Sequence, residues 1–118
     1  MNTVKYNNME PAEIIIKTYL QIRDALTEKL IKQRYQPVHE QHDDPLFFSR
    51  YMIWSNNEEA LRLTWDGKEQ WFALEVTQDL PLKALSPWST IIIVPFETNN
   101  KTSVYAEGIV HRIITSLD

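Results

Sequence analysis

A chain of 118 residues with 43% hydrophobic and 24% charged content is long enough for one domain with its own core and short for two. Its net charge of −4, without any run of Lys and Arg, argues against nucleic acid and against an anionic membrane surface as partners. The absence of Cys excludes thiol catalysis, disulfides and Cys-ligated zinc.

Residues 1–9 are polar and lack an apolar signal core, so they are expected to form a flexible N-terminal arm ahead of a single domain over 10–118. No strictly apolar run is longer than Ile91–Val94, far below the roughly 20 residues a membrane helix needs. A soluble, cytoplasmic protein is expected. A helix is predicted from Pro11 to Tyr35. Pro suits the first turn, where its missing N–H has no helical partner anyway. Ile15, Tyr19, Ile22, Leu26 and Leu30 recur at steps of three and four and form one apolar stripe, widened by Ile16 and Leu20. Pro37 disfavours a helical Gln36 and sets the end.

Val38–Pro45 reads as a polar loop. Strands follow at Phe47–Ser55, Glu59–Trp65, Lys68–Thr77 and Trp88–Phe96. Asn56-Asn57 and Asp66-Gly67 are the residue types favoured in two-residue primed turns. The connection Gln78–Pro87 is too long for a tight hairpin and could carry the chain across the sheet. Ile91–Val94 does not alternate, which suggests burial on both faces, while Pro95 marks an edge or a bulge. A second helix, Ser103–Leu117, has a stripe of Tyr105, Ile109, Ile113 and Leu117; Gly108 inside it could mark a close backbone contact. The expected fold is α+β: a two-layer sandwich in the order α-β-β-β-β-α, with a largely antiparallel four-stranded sheet and both helices on one face.

Two-residue turns set Leu61 opposite both Met52 and Phe72, on the side facing the helices together with Leu63, Trp65, Leu74, Val76 and Arg50. The opposite side then carries the rows Tyr51–Arg62–Trp71 and Ile53–Ala60–Ala73. An arginine between two aromatics is a cation–π arrangement, worth about 0.5–1 kcal/mol when exposed and about 2 kcal/mol when dry. With no third helix to cover this side, Tyr51, Ile53, Arg62, Trp71 and Ala73 are the candidate partner-binding residues. Cross-strand aromatic pairs also stabilise solvated sheets on their own account.

Chemistry-bearing residues are sparse. His39, Glu40, His42, Asp43 and Asp44 concentrate imidazole and carboxylate, but their spacing matches neither a zinc protease motif nor a calcium loop, and Pro37 and Pro45 bracket the segment. No metal site and no cofactor is expected. His111 falls on the polar side of the second helix, and Glu75 reads as a solubilising charge rather than a general base. No nucleophile-elbow motif or glycine-rich nucleotide loop occurs. No motif identifies a family; element order and acidity are similar to those of small secretion chaperones and related dimeric regulators.

The residues lean away from an enzyme. They point to a small acidic, non-catalytic protein-binding or regulatory domain, chaperone-like in kind. It would act through its aromatic sheet face on a protein partner or on a second copy as a homodimer. The alternative is a small enzyme or ligand-binding domain with a pocket between sheet and helices near the His39–Asp44 segment.

Overall fold

The computed structural model describes residues 9–42, 44–97, 99 and 102–118. Apart from Met9, which packs against the core, the expected arm therefore lies outside the described residues, as does Asp43 of the His/Asp segment. The chain runs α1 (Pro11–Ile31), β1 (Gln36–Gln41), β2 (Arg50–Ser55), β3 (Ala60–Asp66), β4 (Trp71–Thr77), β5 (Ser89–Pro95) and α2 (Ser103–Thr115). The fold is α+β, with the helices packed on an antiparallel sheet.

Among the described residues the sheet has five strands in sequential order rather than the expected four. The additional strand is β1, taken from what the sequence presents as a polar loop. It is an edge strand, exposed along nearly its whole length, so burial imposes no period-two alternation on it. Main-chain pairing with β2 holds it. So does an ion pair from Arg23 on α1 to Glu40, 3.2 Å between nitrogen and oxygen. The 78–88 connection does not cross the sheet either: β5 lies beside β4. Nor is β5 buried on both faces. It is the other edge, where Val94 is buried but Ile93 stands 40% exposed. Both edges carry a proline and a register shift, at Pro37/His39 in β1 and at Pro95 and Leu74/Glu75 in the β4–β5 pair. Proline and bulges are devices that discourage further strand addition.

Parity of the faces survives although the turns do not. Ser55 pairs with Ala60 and Asp66 with Trp71, so each hairpin loop is longer than a two-residue turn. Leu61 consequently lies opposite Trp54 and Val76 instead of Met52 and Phe72, displacements of two and four residues. Even displacements leave every side chain on its expected face. Gly67 does not take a positive φ; Gln70 does, at 62°.

On the helix side, Trp54, Leu61, Leu63, Trp65, Phe72, Leu74 and Val94 form one core with the helical stripes. The predicted α1 stripe is buried throughout, and the helix also buries Ile14 and Thr18, where Ile16 and Leu20 were expected to widen the stripe. Thr18 is accommodated because its hydroxyl donates to the Ile14 carbonyl. Trp54 ties sheet to helix by donating its indole N–H to the Thr27 hydroxyl at 3.0 Å.

Helix α1 stops short of Tyr35 because Arg34 turns left-handed, at φ 70°, letting the Tyr35 N–H close back on the Leu30 carbonyl. The Tyr35 hydroxyl then donates to Glu59 at 2.8 Å. Burial first, and this carboxylate second, push its pKa up from 10.0 to about 12. Helix α2 starts where the Thr102 hydroxyl accepts the Tyr105 N–H.

Gly108 is not the close contact expected of it. It is exposed, and a Cβ built there meets nothing within 4 Å. Gly108→Ala should therefore raise unfolding free energy by about 1 kcal/mol, read as a higher urea midpoint at unchanged m-value.

Candidate functional site

The face turned away from the helices is built from alternate residues of all five strands. Its observed rows are Tyr51–Thr64–Ala73–Ile93, Ile53–Arg62–Glu75–Thr90 and Asp66–Trp71–Pro95. A shallow groove of about 410 Å³ runs over it, lined by Tyr51, Thr64, Trp71, Ala73, Thr90 and Ile93, with Arg62, Glu75 and Asp66.

Of the five candidate partner residues, Tyr51, Arg62, Trp71 and Ala73 come together in this groove and Ile53 does not. Ile53 and Ala73 are already buried within the chain, whereas Tyr51, Arg62 and Trp71 are partly exposed. The expected row of Arg62 between Tyr51 and Trp71 is corrected by the longer hairpin loop, which carries Trp71 to the far end of the face opposite Asp66. The second aromatic on Arg62 is Trp88, its ring centroid 4.3 Å from the guanidinium carbon, with Tyr51 at 6.0 Å. Trp88 belongs to the β4–β5 connection. That segment, rather than a third helix, covers part of this side. Sequence pattern missed this because a cap supplied by a coil has no periodicity.

Arg62 is held from its other edge by Glu75, with Nε and Nη2 each donating to one carboxylate oxygen at 3.0 and 3.1 Å. The Thr64 hydroxyl donates to the same carboxylate at 3.2 Å. Bidentate pairing fixes both side chains in one geometry. Glu75, read from sequence as a solubilising charge, is thus the anchor of a polar cluster. The remaining carboxylate, Asp66, accepts the backbone N–H groups of Lys68 and Glu69. Arg62 and Glu75 thus neutralise each other at the centre of the groove, while Asp66 stands at its end as a carboxylate held by backbone N–H groups.

The His39–Asp44 segment divides. His39 lies on the outer face against Tyr51, ring centroids 5.6 Å apart. Glu40 points to the helix side and Arg23. Asp44 accepts the N–H groups of Leu46 and Ser49, which hold its carboxyl below the usual carboxylate range. Among the described residues no group of His, Asp and Glu is arranged to hold a metal ion. Beside Glu40 the buried Tyr19 hydroxyl has its pKa raised by burial first and by Glu40 second, with Arg23 and Arg50 opposing. A phenol so raised stays protonated at neutral pH.

A third feature stands at the end of the sheet. The loop between β1 and β2 exposes three consecutive apolar side chains, Leu46 at 77%, Phe47 at 46% and Phe48 at 48%. The sequence shows this triplet, but placing Phe47 and Phe48 at the start of a strand concealed their exposure. Among the described residues no helix is long and apolar enough to cross a membrane. No protein family, curated protein or solved structure matches this chain.

Proposed function

We propose that this is a non-catalytic protein-binding domain of regulatory or chaperone-like kind, whose outer sheet face is covered by protein, with a second copy of the chain as the occupant. One observation carries this: the groove joins Tyr51, Trp71, Ala73 and Ile93 around Arg62 and Glu75, which are already paired with each other inside the chain. Aromatic and aliphatic contacts with no free charge at the centre are the composition of an interface core. With Arg62 and Glu75 neutralising each other, the centres of two identical faces meet without like-charge repulsion, which suits an isologous dimer. Both edges are blunted by proline and bulges, so association through the face is favoured over strand addition. The side chains best suited to acid–base work, Glu75 and Glu40, are both committed to arginines.

Apolar burial resists salt, whereas exposed charge pairing is screened over about 10 Å at 0.1 M ionic strength. Sedimentation equilibrium at low and at molar NaCl should therefore give the same dimer. A monomer at every loading concentration, or a dimer that dissociates in salt, would overturn the second-copy assignment.

A further inference from the structure

We infer that the Leu46–Phe48 loop is a docking site for a basic, apolar polypeptide segment of another protein, separate from the groove. Leu46 stays mostly exposed on folding and Phe47 and Phe48 stay about half exposed, yet the backbone that presents them is tightly specified. Asp44 accepts the N–H groups of Leu46 and Ser49. The Ser49 hydroxyl accepts the Gly67 N–H at 2.9 Å, joining this loop to the β3–β4 turn. The Phe47 carbonyl lies so close over Gly67 that a Cβ there would fall 1.8 Å from its oxygen. Phe48 is held left-handed at φ 58°, a conformation that costs a bulky residue energy. A locked and strained backbone that holds three apolar side chains in water is organised for something outside the chain.

Charge selects the occupant. Arg50 is drawn towards α1, its guanidinium carbon 5.6 Å from the centroid of the Tyr19 ring and its Nε donating to the Phe48 carbonyl. Among the described residues the loop and the abutting turn carry Asp44, Asp66 and Glu69 against Lys68 and Arg50, a net acidic setting on a chain of net charge −4. A second copy docking loop to loop would set two such net acidic settings against each other. An anionic bilayer would meet the same repulsion. An apolar segment flanked by Lys or Arg is complementary on both counts.

The probe is a labelled amphipathic helical peptide of Leu and Lys, with its Leu/Glu counterpart as control, followed by fluorescence anisotropy. The intact chain should bind the Leu/Lys peptide saturably, more weakly as NaCl rises, and should not bind the Leu/Glu peptide. The Leu46→Ser/Phe47→Ser variant should weaken binding at least tenfold, and the uncharged groove variant Ile93→Ser should leave it unchanged. Leu46→Ser alone keeps the test decisive if the double variant melts early, because so exposed a side chain does not hold the fold together. Saturable binding of the Leu/Glu peptide, equal binding by Leu46→Ser, or no saturable binding of the Leu/Lys peptide would overturn the proposal. So would a wild-type dimer that Leu46→Ser dissociates, which would make the occupant a second copy.

Discussion

Leu26→Ala is expected to lower the unfolding free energy by about 2–5 kcal/mol, from lost transfer energy together with the cavity left behind. Leu26 is 0% exposed and lies in the single core where α1 meets the inner face of the sheet. The core to which it belongs is held by features that do not relax easily. Trp54 is bonded to Thr27 on the same helix, and Trp65 packs against Phe72 with ring centroids 4.7 Å apart. Collapse into the space is therefore resisted, which places the cost towards the upper part of the range. Ile109→Ala, on the corresponding stripe of α2, should behave in the same way. Lys32→Ala, exposed at the end of α1, should stay within about 0.5 kcal/mol. Urea melts of the three variants check this; equal losses from Leu26→Ala and Lys32→Ala would contradict the observed rotation of α1.

The second large effect is at Gly67. Its φ is not positive, so alanine meets no backbone penalty of its own. The penalty is steric: the added Cβ would sit 1.8 Å from the Phe47 oxygen, 2.7 Å from its carbonyl carbon and 2.8 Å from its Cβ. Two of those atoms are backbone, so the β1–β2 loop must move as a unit, and the Ser49–Gly67 bond at 2.9 Å is strained with it. Gly67→Ala should cost about 1–3 kcal/mol, the usual range for overpacking a filled site. Because the move displaces the Leu46–Phe48 loop, the same variant should also weaken Leu/Lys peptide binding. A melt indistinguishable from wild type would mean the two loops are not in contact.

Much of the fold is legible in the sequence, and the boundary between what is and what is not has a physical cause. Ile15, Tyr19, Ile22, Leu26 and Leu30 declare α1 because each is buried, and burial is what writes periodicity into a sequence. The two faces of β2–β4 are legible for the same reason, from Leu61, Leu63 and Trp65 against Arg62 and Thr64. Strand β1 is not legible: with almost every residue exposed, its conformation rests on main-chain bonds and the Arg23–Glu40 pair, which leave no pattern. The hairpin loops mislead because Gly67 is present to admit the Phe47 carbonyl and not to turn the chain. Four of the five candidate site residues gather in one groove because even displacements preserve faces. The partner of Arg62 could not be read, because Trp88 arrives from a coil whose path no period encodes.

The central claim, that protein covers the outer sheet face, is tested most directly by sedimentation equilibrium on Trp71→Asp beside wild type. Trp71 is partly exposed at the end of the groove opposite Asp66, so an aspartate there leaves the core intact and sets a new carboxylate beside an existing one. Wild type is expected to sediment as a dimer and Trp71→Asp as a monomer, with the far-ultraviolet circular dichroism of the two superimposable. A Trp71→Asp variant that remains as dimeric as wild type would show that this face is solvated sheet.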